Sequence, residues 1–406
     1  MSLLPAQRNL GTLRLYYFLL IGGGGFLFPF INLFFVARGL SGTEIGLLST
    51  VASLAVLIAA PWWGRHSDRT VQPRRLLQFG LLATSLCMLA LSQQTIFVWM
   101  ALFVMLDALL SAGVAPLSDV VTLAVTKQDS AGFGSVRLWG SLGWAVTALV
   151  GGWLIERTGL FTMFAGYALS GLAGIALLAL LRIPRWGGPS LGGPNLGSQI
   201  DRMEAAPARS LWKAVRVFAG DRTQVGLALA LALLLFTFNG VRQFEPVFLN
   251  ELGAGETIIG LASMIGAAVE VPGMWWVDRL ARRYGAGRML RLSFLLYLVC
   301  MLSVIIAPTV PMILFSHVID GVAYSFFAVA LAVFIGEVAP GGQVTTTMAL
   351  FTVTLPAFIR MVSAPVGGWV FDVRGAYTLY FIAVAGAAAG WLVMKLMVKD
   401  ASREEG

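Results

Sequence analysis

Twelve apolar stretches run through this 406-residue sequence and limit what it can fold into. A helix that crosses a lipid bilayer needs about 20 predominantly apolar residues. The stretches of that kind are residues 13–36, 43–63, 74–92, 95–126, 133–155, 159–182, 222–249, 255–277, 287–306, 309–337, 343–371 and 376–398. Only 12% of the residues are charged, against about 25% in an average soluble protein. Because helices satisfy their own backbone hydrogen bonds in lipid, the sequence predicts an all-α membrane protein with twelve transmembrane helices.

Lysine and arginine are distributed unevenly around these stretches. With both termini placed in the cytoplasm, the cytoplasmic loops, tails and adjoining helix ends carry 22 of the 28 Lys and Arg residues. The outer loops carry only Arg38, Arg157 and Arg374. This bias follows the positive-inside rule, so we expect a multi-pass protein of a bacterial inner membrane with cytoplasmic termini. The cytoplasmic loops account for the net charge of +8, and no nucleic-acid partner is required.

Similar sequence patterns occur on both sides of the longest polar connection, residues 183–221. The string GGWLIERTG matches GGWVFDVRG, and an Asp-Arg pair follows both the second and the eighth stretch. Asp107 in the fourth stretch corresponds to Asp320 in the tenth. Repeats in the same order and at nearly the same offset indicate duplication. We therefore predict two pseudo-symmetric six-helix bundles, residues 1–182 and 222–406, joined by a cytoplasmic linker over residues 183–221.

A charged loop follows the second apolar stretch. The segment GRHSDRTVQPRR, residues 64–75, resembles the loop signature of the major facilitator superfamily, whose two parallel six-helix repeats move against one another. The resemblance implies a conformational latch, because a carboxylate near a helix start and adjacent arginines can make charge-assisted contacts. Ordinary topogenic charge in a turn is the alternative. The latch residues are Gly64, Asp68, Arg69 and Arg74, with Asp278 and Arg279 in the second half.

We single out eight charged residues inside the predicted spans. Each must face a cavity or a partner, because a charge at the bilayer centre costs at least about 2.5–3.5 kcal/mol. They are Asp107, Asp119, Arg137, Arg242, Glu245, Glu270, Asp320 and Arg360. Asp119 and Arg137 flank one short turn at equal distances along the chain, so antiparallel helices would carry them at the same depth. We expect the two to pair, either as a static salt bridge or as part of a functional site.

The sequence around this pair resembles a known family. APLSDVVTLAV followed by GSVRLWGSLGW is similar to the lactose permease family and its nucleoside and phenylpropionate relatives, which have an acid after Ala-Pro, an Arg at the same spacing in the next span and a Trp two turns beyond that Arg. The segment YYFLLIGGGGFLFPF is similar to the family's first span. In the sugar-transporting members, the acid and Arg bind hydroxyls and the Trp stacks on the ring. The resemblance implies that Asp119, Arg137 and Trp144 bind substrate.

The string SHVIDG in the tenth span carries a second polar group. His317 and Asp320 are three residues apart and so share one helix face. The lactose permease family has His and Glu at this spacing, and the resemblance implies that Asp320 carries a proton with His317 as its partner. Burial out of water favours the neutral form of a carboxyl. A satisfied polar pair between helices is the alternative. Asp107 is either a second proton site or a helix-to-helix hydrogen bond.

Other positions depart from that family's pattern. Tyr297 stands where the family has an Arg, and Arg360 lies about one turn from the usual Lys. Asp320 and Arg360 are symmetric about the turn near Pro340, so Arg360 is an alternative partner for Asp320. Asn239 replaces part of the family's paired aspartates, and we place it with the substrate-binding residues. Glu270 is either a substrate contact or a second proton site.

These observations together predict a secondary transporter and not an enzyme. We expect uptake of a small polar ring solute, sugar or nucleoside-like, with a proton, by a monomer in the bilayer without cofactor or metal. One alternative is an organic acid held by Arg137, Arg242 and Arg360, and another is drug export by antiport. A membrane enzyme using Asp107 or Asp119 with His317 is a remote alternative. No Gly-x-x-x-x-Gly-Lys-Ser/Thr loop occurs, which disfavours transport driven by ATP.

Overall fold

The regular elements of this protein are helices. A computed structural model describes residues 5–69, 72–126, 133–181, 220–339 and 344–398. Over these residues the helices are α1 Pro5–Leu27, α2 Ile31–Ala37, α3 Gly42–Arg69, α4 Pro73–Ser92, α5 Phe97–Ser111, α6 Val114–Thr126, α7 Phe133–Thr158, α8 Phe161–Leu180, α9 Arg222–Glu251, α10 Glu256–Tyr284, α11 Ala286–Ile306, α12 Val310–Val338, α13 Val344–Ala349, a π-helical turn Leu350–Thr354, α14 Leu355–Arg374 and α15 Ala376–Met397. Within those ranges, twelve helical spans are long and apolar enough to cross a membrane. The prediction of an all-α protein with twelve transmembrane helices is confirmed.

Three of the twelve spans contain an interruption in the helix. The first span divides into α1 and α2 around Pro29, and the fourth divides into α5 and α6 at residues 112–113. Proline supplies no backbone N–H to the helical hydrogen-bond ladder. The eleventh span contains the π-helical turn between α13 and α14, which locally changes that ladder. Apolar length alone, on which the sequence prediction rested, does not reveal such interruptions.

The chain divides into two compact units. The first comprises residues 1–40, 51–200 and 255–264, and the second comprises residues 41–50, 201–254 and 265–406. The short segments that begin α3 and α10 are therefore grouped apart from the rest of their helices. The domain limits proposed from the sequence stay a prediction, and residues 183–219 of the proposed linker lie outside the described ranges.

Helix packing follows the same plan within each unit. In the first, α1 packs against α7 and α8, and α4 packs against α8. In the second, α9 packs against α14 and α15, and α11 packs against α15. The equivalent helices are those that the sequence repeat aligns. The first unit has a buried core that includes Leu13, Leu77, Val121 and Leu178.

Side-chain details also repeat at a constant offset. The thiol of Cys87 lies 3.1 Å from the carbonyl oxygen of Phe103, and the thiol of Cys300 lies 3.3 Å from that of Ser316. Cys300 follows Cys87 by the same interval as Ser316 follows Phe103, and this is also the interval between Asp107 and Asp320. The duplication inferred from short strings therefore extends to the way the helices contact one another.

Candidate functional site

A polar cluster in the first unit is centred on Asp119 of α6. The hydroxyl of Tyr17 on α1 donates to Asp119 Oδ1 at 2.5 Å. Arg137 of α7 places Nη1 3.8 Å from Asp119 Oδ2. The structure thus brings together the Asp and Arg that the sequence placed at equal depth. Their role in binding a substrate stays a prediction.

Neighbouring contacts fix the position of the Tyr17 ring. The adjacent Tyr16 is fully buried, and its hydroxyl lies 2.7 Å from the hydroxyl of Ser118. The two tyrosine rings pack edge to face with centroids 6.0 Å apart. Two consecutive tyrosines on α1 therefore contact two consecutive polar residues on α6. Tyr17 was not among the site residues suggested by the sequence, because its partner is distant along the chain and no local spacing connects them.

Trp144 lies two turns beyond Arg137 on α7. Its ring stacks on Phe28 with centroids 6.0 Å apart and planes inclined by 12°. Its indole Nε1 donates to Ser263 Oγ of α10 at 3.0 Å. Residues two turns apart occupy one helix face, so a single ligand beside α7 can touch both Arg137 and Trp144. The cluster presents a carboxylate, a guanidinium and an aromatic face.

A second cluster, in the second unit, joins α9 and α12 through two pairs of opposite charge. Arg242 Nη2 lies 3.2 Å from both carboxylate oxygens of Asp320. His317 Nε2 lies 2.8 Å from Glu245 Oε1. The hydroxyl of Tyr380 on α15 donates to Glu245 Oε2 at 3.0 Å. We call Arg242, Glu245, His317 and Asp320 the charge ladder.

The charge ladder corrects the pairing expected from the sequence. His317 and Asp320 share a helix face as predicted, but each faces a residue of α9 instead of the other. Asp320 pairs with Arg242 and not with Arg360, the alternative partner suggested by the sequence. The physical reason is register: Arg242 and Glu245 are also three residues apart, and α9 and α12 run in opposite directions. This complementary spacing was present in the sequence and could have revealed both pairs.

The remaining predicted site residues lie in different surroundings. Asn239 of α9 donates to Ser363 Oγ of α14 at 2.9 Å. Asp107 of α5 has one carboxylate oxygen buried with no hydrogen-bond partner in the described part of the chain. Within the same residues, neither Glu270 nor Arg360 makes a side-chain hydrogen bond or salt bridge, although Arg360 is exposed. No cluster of three or more His, Cys, Asp or Glu that could hold a metal occurs among the residues described.

The structure describes only part of the predicted latch. The side chains of Asp68, Arg69 and Asp278 lie outside the described part of the structure. Gly64 is half-buried in α3, and Arg74 donates through Nη2 to the carbonyl oxygen of Leu181. Arg279 lies over the ring of Trp275 with Cζ 3.6 Å from the centroid. The latch as a whole stays a prediction.

The described residues form twelve membrane-spanning helices in two repeats, and paired charges and aromatic faces lie inside them. This combination is typical of membrane transporters. Charged groups within such spans mark solute or ion pathways. This chain matches the MFS_1 like family over residues 10–382 and belongs to that family of major facilitator superfamily transporters. It is an integral, multi-pass membrane protein that transports a small-molecule substrate and is not an enzyme.

The chain is similar to known transporters over most of its length. It is 28% identical over 391 residues to the maltose permease of Geobacillus stearothermophilus, covering 95% of this chain and 93% of that protein. It is 25% identical over 288 residues to a probable 3-phenylpropionic acid transporter of Escherichia coli K12, covering 69% and 70%. A crystal structure of a mutant nucleoside transporter, NupG, shares the fold with a TM-score of 0.81 at 14% identity, covering 96% of this chain and all of that one.

Proposed function

We propose that this transporter takes up a sugar together with a proton by alternating access. The observation that carries the proposal is the cluster of Asp119, Arg137 and Trp144 with Tyr17. A carboxylate and a guanidinium can accept from and donate to ring hydroxyls, and the Trp144 face can pack on the apolar face of a sugar ring. The resemblance to a maltose permease over nearly the whole chain supports a sugar. We place the monomeric protein in a bacterial inner membrane with cytoplasmic termini.

The charge ladder is the proposed site of proton coupling. With a protonated imidazole it contains two positive and two negative groups and is electrically balanced. Loss of the proton from His317 leaves the ladder with one positive group, Arg242, against two negative groups, Glu245 and Asp320. An uncompensated charge of this kind costs about 3–5 kcal/mol when buried. Protonation is therefore linked to how α9 packs against α12 within the second unit, and we propose that this packing couples the proton to transport.

Uptake by reconstituted protein tests both parts of the proposal. Purified transporter in proteoliposomes should accumulate labelled maltose when the outside is more acidic and should acidify the lumen as maltose enters. Arg137→Lys keeps the charge but loses the two-pronged donor geometry, so we expect at least about a tenfold loss of uptake at low maltose. Arg157→Lys is the matched control, because Arg157 lies on the same helix and, among the described residues, its side chain bonds to the nearby Trp153 carbonyl oxygen and packs on the Trp153 ring. Equal uptake by both variants would refute the site.

A second candidate substrate is an organic acid. Arg360 has no anionic partner among the described residues and could receive a carboxylate, and the resemblance to a probable 3-phenylpropionic acid transporter supports this class. A ligand that binds the folded protein raises its melting temperature by mass action. Thermal unfolding with maltose, uridine or 3-phenylpropionate separates the classes. Stabilisation by the acid alone, lost in Arg360→Gln, would favour the second candidate over the sugar.

A further inference from the structure

Asp372, in the last turn of α14, contacts the beginning of α3. Its Oδ1 accepts from the backbone N–H of Gly42 at 2.5 Å. Its Oδ2 accepts from the backbone N–H of Thr43 at 2.8 Å and from the Thr43 hydroxyl at 2.6 Å. The first N–H groups of a helix have no partner within the helix. Asp372 supplies that partner from near the other end of the sequence.

Glu156, in the last turn of α7, makes the equivalent contact with the beginning of α10. Its Oε2 accepts from the backbone N–H of Thr257 at 3.0 Å. Asp372 follows Glu156, and Thr257 follows Thr43, at nearly the offset that separates the two sequence repeats. The same device therefore occurs twice, once in each compact unit.

The two helix crossings behind these carboxylates are also alike. A Cβ atom on Gly46 of α3 would clash with the Ala364 carbonyl oxygen of α14, and one on Gly260 of α10 would clash with the Ala148 carbonyl oxygen of α7. Glycine at these two positions lets the backbones come into contact. One turn further along α3, the hydroxyl of Thr50 donates to the Met361 carbonyl oxygen at 2.7 Å. Each carboxylate thus links two tightly packed helices at the end of their crossing.

Neither Glu156 nor Asp372 stabilises the helix to which it belongs. The C-terminal end of a helix carries partial negative charge, so an acid in the last turn is unfavourable for its own helix. The start of α3 already has a capping pair of its own, since Ser41 and Glu44 exchange hydrogen bonds. Asp372 is therefore not needed to begin α3. Both acids are explained by the second helix that each one contacts.

The four helix ends lie on one face of the membrane. Counting the twelve spans, the start of α3, the end of α7, the start of α10 and the end of α14 all fall on the face opposite the two termini. In the sequence, α3 and α7 belong to the first six spans, whereas α10 and α14 belong to the last six. Each contact therefore joins the two repeats that alternating access must separate.

We propose that Glu156 and Asp372 are positioning residues of the transport cycle, which together hold this face closed and release α10 and α3 when it opens. Neither acid touches the substrate in this role. The proposal names no solute, so it stands or falls separately from the assignment of a sugar. Each crossing has one of these two equivalent contacts. Both contacts must therefore break before the face opens fully.

Cysteine accessibility tests the proposal without any substrate. Thr50→Cys and Ser263→Cys, at equivalent positions of the two repeats, place reporters beneath the two crossings. A membrane-impermeant maleimide is added from the face opposite the termini. We expect Asp372→Ala to raise labelling at position 50, and Glu156→Ala to raise labelling at position 263, each about fivefold. A fivefold change corresponds to about 1 kcal/mol.

Three controls separate a positioning role from simple destabilisation. Glu44→Ala removes an acid from the same end of α3 without breaking the contact to α14, and should leave labelling unchanged. The native Cys87 and Cys300 are buried, and their labelling would rise only if the protein unfolded. Asp372→Asn keeps one acceptor and should give an intermediate rate. Equal labelling in the parent, Asp372→Ala and Glu156→Ala would overturn the proposal, as would a parallel rise at the native cysteines.

Discussion

Glu245 on α9 and His317 on α12 face each other inside two membrane-spanning helices, with Oε1 and Nε2 2.8 Å apart. Tyr380 donates to the other carboxylate oxygen, so both oxygens of Glu245 are engaged. Each of the two facing side chains is 17% exposed. Because both side chains are mostly buried, the protonation state of the pair depends on how the surrounding helices pack. The proposed link between proton and conformation rests on this contact.

Replacing His317 by Gln should separate proton movement from substrate movement. Glutamine can donate to Glu245 but cannot gain or lose a proton near neutral pH. We expect His317→Gln to lose at least about tenfold of the uptake driven by a pH gradient, while exchange of labelled for unlabelled maltose across the same membrane continues.

The sequence offers a matched control, because it contains only one other histidine, His66. His66 stacks on Trp62 near the end of α3 and belongs to the first compact unit, whereas the charge ladder belongs to the second. His66→Gln should leave uptake driven by the pH gradient unchanged. Unaltered uptake in His317→Gln would rule out the imidazole as the coupling group.

The Arg242–Asp320 contact predicts non-additive effects on stability. Removing one partner leaves the other charge uncompensated, and Asp320 is only 16% exposed. We expect Asp320→Asn to lower the free energy of unfolding by about 2–3 kcal/mol, below the 3–5 kcal/mol of fully buried pairs because Arg242 is about half exposed. Arg242→Gln combined with Asp320→Asn should recover much of that loss in detergent unfolding measurements. Simple addition of the two single losses would mean that the pair is not coupled in solution.

Tyr17 and Tyr16 allow a sharp comparison at the first cluster. Tyr17 bonds to Asp119, whereas Tyr16 bonds to Ser118. A hydrogen bond to a charged group contributes about 1.5–3 kcal/mol, and Tyr17 fixes one oxygen of Asp119 so that the other faces Arg137. We expect Tyr17→Phe to raise the KM for maltose about tenfold with a smaller change in the maximum rate.

Tyr16→Phe is the control for this prediction, since it removes the neighbouring hydroxyl without touching Asp119. It should lower stability slightly and leave the KM near that of the parent. Equal KM values for the two variants would mean that Tyr17 does not orient the carboxylate for binding.

The twelve spans were predictable because apolar length is a local property of the chain. Duplication was predictable because Asp107 and Asp320 and the paired GGW strings keep nearly the same offset. The Asp119–Arg137 contact followed from symmetry about a single short turn. Each of these inferences needs only neighbouring residues or a fixed repeat.

The remaining contacts depend on how distant helices align, which spacing along one helix does not determine. His317 and Asp320 share a face, but the register of α12 against α9 decides that Glu245 and Arg242 are their partners. The partners of Tyr17 and Asp372 are far from them along the chain. Complementary charges at equal spacing were a readable signal for the ladder. No comparable signal in the sequence indicated Tyr17.

Trp144 joins the first cluster to α10, and its replacement should affect binding through two contacts. Trp144→Phe removes the indole N–H that bonds to Ser263 and reduces the face that stacks on Phe28. We expect a rise of about five- to tenfold in the KM for maltose, because the indole hydrogen bond contributes about 1 kcal/mol and the smaller phenyl ring keeps most of the stacking contact. Trp153→Phe is the control on the same helix, since Trp153 is exposed and packs against Arg157. Ser263→Ala isolates the hydrogen bond from the stacking face. If Ser263→Ala alone reproduces the whole effect, the ring does not stack on the substrate, and if Trp153→Phe matches Trp144→Phe, the site lies elsewhere.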